Sequence, residues 1–87
     1  MADQVAKNET GATDKIEYGY VSDTFHIYIE FLTIGTVEIQ ASPDGGDTWL
    51  PWEGSDISSS QVIALDSSPS TFRLVAQNGA EFNAWVE

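Results

Sequence analysis

The stretch that decides the fold is "FRLVAQNGAEFNAWVE", residues 72–87. In its first half Phe72, Leu74 and Ala76 alternate with Arg73, Val75 and Gln77. In its second half Phe82, Ala84 and Val86 alternate with Glu81, Asn83 and Trp85. A period of two is the mark of a strand with one face buried. Asn78-Gly79 lies between the two runs, and this pair favours the positive backbone angles of a tight hairpin turn. The stretch therefore predicts two adjacent antiparallel strands sharing one apolar face.

The same period recurs upstream. "FHIYIEFL" (25–32) places Phe25, Ile27, Ile29 and Phe31 on one face and His26, Tyr28 and Glu30 on the other. "TVEIQA" (36–41) places Val37, Ile39 and Ala41 inward, and Gly35 before it suits a turn residue with φ > 0. "QVIAL" (61–65) reads as a shorter strand and "KIEYGYV" (15–21) as a weaker opening one. "GSDISSS" (54–60) and the serine-rich run Asp66-Ser67-Ser68-Pro69-Ser70 have loop composition. Apolar spacing of 3.6 residues is not sustained anywhere. The expected fold is all-β, a small antiparallel β-sandwich or barrel of six to seven strands over residues 15–87. It lacks the Cys…Trp…Cys spacing of immunoglobulin domains. Residues 1–14, "MADQVAKNETGATD", show no period and are expected to be a flexible N-terminal arm, with a reach of roughly 46–50 Å when extended.

Eighty-seven residues suffice for one small domain, and no cysteine is present to staple it. Fourteen acidic residues face three basic ones (Lys7, Lys15, Arg73), a net charge of -11. Such a surface repels phosphate, so neither nucleic acid nor an anionic membrane is expected as a partner. No 18-residue apolar run exists to span a bilayer. A basic start followed by an apolar block is also missing, so no secretory leader is expected.

The most distinctive motif is "SPDGGDTW", residues 42–49. Pro43 pre-sets φ for a turn, Asp44 offers a carboxylate to the backbone N–H groups after it, and two glycines open conformations closed to other residues. Trp49 can fold back and anchor the loop. The motif resembles an Asp-box, Ser-x-Asp-x-Gly-x-Thr-Trp, with matches at Ser42, Asp44, Gly46, Thr48 and Trp49. In sialidases and other β-propellers this box recurs once per blade as a structural turn remote from the catalytic centre. One copy in 87 residues cannot build a propeller. Arg73 is the lone arginine, too few to clamp a sialic-acid carboxylate. The box is therefore expected to be a structural hairpin.

A second resemblance spans residues 35–87. The run "GTVEIQASPDGGDTWLPW", a Ser-rich loop and "FRLVAQNGAEFNAWVE" together are similar to small β-sandwich virion proteins of tailed phages, capsid decoration (cement) proteins among them. Residues 1–34 carry none of this likeness. The resemblance implies a structural protein on the outer capsid surface, bound to the major capsid protein and assembled as a homo-oligomer, with a trimer at local three-fold positions favoured. The acidity fits the outside of a head better than the DNA-filled inside.

Catalytic readings find little to stand on. His26 is the sole histidine and falls mid-strand, with no Ser-His-Asp arrangement around it. Asp44, Asp47, Glu53 and Asp56 have the hard oxygens that Ca²⁺ prefers, but not the spacing of a calcium loop. No enzyme activity, cofactor or metal is expected. Aromatic residues carry the remaining signal. Trp85 and Tyr28 fall on the polar faces of their strands, and Trp52 follows Pro51 with its direction unset by pattern. These three are the candidate interface residues, since aromatics dominate binding hot spots. The alternatives to capsid decoration are a carbohydrate-binding, adhesin-like module of a tail fibre, in which these rings would stack on sugars, or a tail or adaptor component.

Overall fold

The computed structural model describes residues 2–17, 25–52, 56–65 and 71–87. Among these residues eight strands run in chain order: β1 (Asp3–Glu9), β2 (Ile16–Glu17), β3 (Phe25–Phe31), β4 (Thr36–Ala41), β5 (Leu50–Pro51), β6 (Gln61–Leu65), β7 (Thr71–Gln77) and β8 (Phe82–Val86). They form two four-stranded antiparallel sheets, in the orders β1-β8-β3-β6 and β2-β7-β4-β5. No helix occurs among the described residues. The alternation that marks each strand supplies the core. Ile27, Ile29, Phe82, Ala84 and Val86 come from the first sheet, and Val37, Ile39, Phe72 and Leu74 from the second, all buried. The side chain of Phe25 lies outside the described residues.

Three expectations change. First, β7 and β8 are not neighbours; they lie in opposite sheets. The turn between them is well made locally, with Asn78 at φ 58, Gly79 at φ 82 and the Ala80 N–H donating to the Gln77 carbonyl at 3.2 Å. Ala80 is buried, and the chain passes from one sheet to the other instead of folding back alongside β7. A period of two reports which face is buried, and facing strands bury their faces as well as adjacent ones do. The same holds for β3 and β4. Gly35 between them is not in the left-handed region. It is needed for space, because a Cβ there would sit 2.5 Å from Ala80 N and 2.6 Å from Ala80 Cα.

Second, the segment expected to be a flexible arm contains β1, an edge strand paired to β8 with Ala6 buried and Val5 against the core. Val5 and Ala6 are adjacent, so both cannot share one face of a regular strand. The register shifts between Gln4 and Ala6 and again between Ala6 and Glu9, and Asn8 has φ 50. These irregularities erase the period that a regular strand would show. Residues 11–13 then cross to the second sheet. The Ala76 N–H donates to the Gly11 carbonyl at 2.9 Å, the Thr13 N–H to the Leu74 carbonyl at 2.9 Å, and the Leu74 N–H to Thr13 Oγ1 at 3.1 Å. The sandwich thus begins at Asp3, not at residue 15.

Third, the described residues hold eight strands, roughly compatible with the expected six to seven: β1 and the two-residue β5 are the additions. Of the opening strand expected over 15–21, Ile16–Glu17 forms β2, and residues 18–21 lie outside the described residues, as do Glu53 and the loop 66–70. The expected loop 54–60 contains Ile57, buried and bridged to Val37 by a pair of backbone bonds at 2.8 and 2.9 Å. Among the described strands, β4 and β5 are the one pair that is both consecutive in sequence and hydrogen-bonded. The turn that joins them is the "SPDGGDTW" loop.

Candidate functional site

The residues of the "SPDGGDTW" loop form a local hydrogen-bonding system. Ser42 is buried at the end of β4, and its N–H donates to the Thr71 carbonyl at 3.0 Å. Its hydroxyl donates to Asp44 Oδ1 at 2.8 Å and accepts the Gly46 N–H at 2.7 Å. The same Asp44 oxygen accepts the N–H groups of Thr48 at 2.7 Å and Asp47 at 3.1 Å. Hydrogen bonds from the Thr48 side chain and N–H, and from Ser42, hold the Asp44 carboxyl at a pKa of about 2, well below the usual carboxylate range. Gly45 (φ 76) and Gly46 (φ 117) bend the chain around this anchor. Trp49 folds back so that the Arg73 guanidinium stacks 4.4 Å from its ring centre. Gln40 Oε1 accepts from Arg73 Nε at 2.8 Å. Ser42 Oγ and Asp44 Oδ1 together take up the N–H groups of Gly46, Asp47 and Thr48, which suits the loop to holding a turn.

The candidate interface residues separate. Trp52 is half-buried against the core, and its N–H donates to the Ile39 carbonyl at 2.8 Å. Tyr28 and Trp85 come together on the outer face of the first sheet, directly opposite each other on β3 and β8. On the far side of Tyr28 the register sets Val62 of β6, an exposed residue. These side chains, with Glu30, Gln61 and Glu87, line an open, mostly apolar hollow of about 490 Å³. The Tyr28 hydroxyl donates to Glu87 Oε1 at 2.5 Å. That bond, then burial and the carboxylate charge, raise the phenol above its ordinary pKa. Glu30 Oε1 accepts Asn83 Nδ2 at 3.0 Å. His26 lies beside Tyr28 with ring centres 6.5 Å apart. Strand parity places Tyr28 and Trp85 on outer faces. That they meet, and that Val62, Glu30 and Glu87 surround them, depends on inter-strand register, which no local pattern in this sequence encodes.

Beyond this face, Ile34 is almost wholly exposed, at 97%, in the loop after β3. The loop is held by Thr33, whose hydroxyl donates to the Gly79 carbonyl at 3.0 Å and accepts the Glu81 N–H at 2.8 Å. Among the described residues no three His, Asp or Glu side chains converge as metal ligands. Comparison with known protein families, curated proteins and solved structures finds no match.

Proposed function

We propose that this chain is a non-enzymatic structural protein of a tailed-phage virion, a capsid decoration protein bound to the outer surface of the head. The observation that carries the docking part is the Tyr28–Trp85 pair. Two large aromatic side chains stand side by side on a solvent-facing sheet, beside an exposed valine, in an otherwise acidic surface. Paired aromatics at the centre of an apolar patch with a polar rim are the usual anchors of protein–protein contacts. The virion part rests on the likeness of residues 35–87 to small phage sandwich proteins and on the acidity, which favours the shell exterior over packaged DNA. The partner is the major capsid protein, and a homotrimer at local three-fold positions follows from the same likeness. Because β1 belongs to the sandwich, docking falls to the sheet face and not to a free arm. Cryo-EM of the parent virion tests this reading: density for the protein on the shell is expected, and its absence there overturns the proposal. A ring of six in solution favours the tail or adaptor alternative.

One observation favours the glycan-binding alternative. Glu30 and Gln61 give the aromatic hollow polar groups of the kind that accept and donate to sugar hydroxyls. A broad glycan panel decides it, and silence across the panel removes it.

A further inference from the structure

The hollow on the first sheet has a chemical signature more specific than apolarity. Two π-faces, Tyr28 and Trp85, lie between two carboxylates, Glu30 and Glu87. Neither carboxylate has a cationic partner among the described residues, where the ion pair present is Lys15 with Glu17 at 3.0 Å. No lysine or arginine occurs between Lys15 and Arg73 in the whole chain. Aromatic faces with adjacent anionic oxygens make a receptor for a cation. Guanidinium suits it better than ammonium, because it stacks flat on a ring and bonds carboxylate in a fork. The second sheet already holds the intramolecular version, Arg73 stacked on Trp49.

The edge beside the hollow indicates what brings the cation. Among the described residues, three of the four edge strands are short, charged or irregular. β1 is charged and twice shifted in register, β2 has two residues beside the Lys15–Glu17 pair, and β5 has two residues including Pro51. β6, "QVIAL", has five residues, no charge and no proline, and it keeps an unbroken five-pair register with β3. It pairs with β3 alone among the described strands. Sheet proteins ordinarily protect such an edge, and an unprotected one accepts an added strand. Gln61 and Val62 belong both to this edge and to the wall of the hollow. A strand added to β6 would lie about 4.8 Å beyond Val62, a gap that an arginine stem crosses. A second copy of this chain is a poor occupant, since it brings net charge -11 and a β6 without a base.

We propose that the hollow receives an arginine side chain carried on an extended segment of a partner protein, the segment adding to the sheet along β6. The inference rests on the docking reading above but not on the identity of the partner as a capsid.

The test titrates the full chain, isotope-labelled, with the acetylated and amidated peptide Thr-Val-Arg-Val-Thr and with its counterparts carrying citrulline or Glu in place of Arg. The Arg peptide is expected to shift the Trp85 indole and the Gln61 and Val62 amides together. The citrulline and Glu peptides should bind about tenfold more weakly or not at all. Glu30→Gln and Glu87→Gln should each weaken the Arg peptide several-fold in proteins whose melts show them folded, and raising salt from about 50 mM to about 500 mM should weaken it further. Equal binding of the three peptides, no shift with any, or shifts at Trp85 without the β6 amides overturns the proposal. So does concentration-dependent self-association that perturbs the same residues, or saturation of the hollow by a neutral oligosaccharide. Arg-peptide binding by a protein absent from any phage head would remove the virion reading and leave this one standing.

Discussion

Replacing Gly35 with alanine tests the interlock that turns two sequence-adjacent strands into facing ones. The new Cβ would lie 2.5 Å from Ala80 N and 2.6 Å from both Ala80 Cα and Cβ. Ordinary carbon contacts begin near 3.5 Å, so the loops Leu32–Gly35 and Asn78–Glu81 must part by about 1 Å. Two of the three opposing atoms are backbone and cannot rotate away. Thr33 ties the same loops together through Gly79 and Glu81, which resists the movement. Overpacking of this kind costs typically 1–3 kcal/mol, and backbone against backbone belongs at the top, about 3 kcal/mol. A domain of this size has about 4–13 kcal/mol in total. At about 4–8 °C per kcal/mol, Tm should fall by about 12–24 °C in a calorimetric or circular-dichroism melt. Gly79→Ala is the internal contrast. Gly79 has φ 82 but open space around its Cβ position, so only the left-handed backbone is strained, about 1–2 kcal/mol. Ala80→Gly in the Gly35→Ala background removes the Cβ contact alone and should restore stability in part. A Gly35→Ala protein that melts within about 2 °C of wild type would refute the interlock.

Other outcomes follow from the site geometry. Asp44→Asn should lower Tm at neutral pH, and the gap from wild type should close with acid. The folded pKa of Asp44, about 2, lies below its unfolded value, so its contribution is present above about pH 4 and is lost as pH falls toward 2. A gap that persists at the acid end contradicts this. Arg73→Ala removes the stack on Trp49 and the bond to Gln40, and should cost about 1–2.5 kcal/mol in urea unfolding while changing Trp49 fluorescence. Glu87→Gln should bring the Tyr28 titration back down toward its ordinary value in an ultraviolet absorbance titration. In the wild type, the stability from the bond between the neutral Tyr28 phenol and the Glu87 carboxylate is present below pH 10 and is lost as pH rises through the raised phenol pKa.

Much of the fold is legible in the sequence because burial follows alternation. The period identifies the buried apolar residues of β3, β4, β7 and β8, and also the outward positions of Tyr28, Trp85 and Arg73. What stays hidden depends on pairing between distant strands. Asn78-Gly79 encodes a tight turn and makes one, but whether the chain then runs beside β7 or across to the other sheet depends on contacts with distant residues, such as the close approach of Ala80 to Gly35. β1 escapes a reading by period because two register shifts scramble its faces. The box "SPDGGDTW" is readable as a unit because its bonds, Ser42 to Asp44 to Thr48, are all local. The cross-strand neighbours of Trp85 are not, since Tyr28 lies 57 positions away and Gln4 belongs to the register-shifted strand β1.

The central claim is that the Tyr28–Trp85 face docks on a phage shell. Its most direct test is the binding of labelled protein to purified heads lacking it, comparing wild type with a Tyr28→Ala/Trp85→Ala variant whose Tm shows it folded. The account predicts saturable binding by wild type and at least about a tenfold loss in the variant. No binding by wild type, or equal binding by the folded variant, would contradict it.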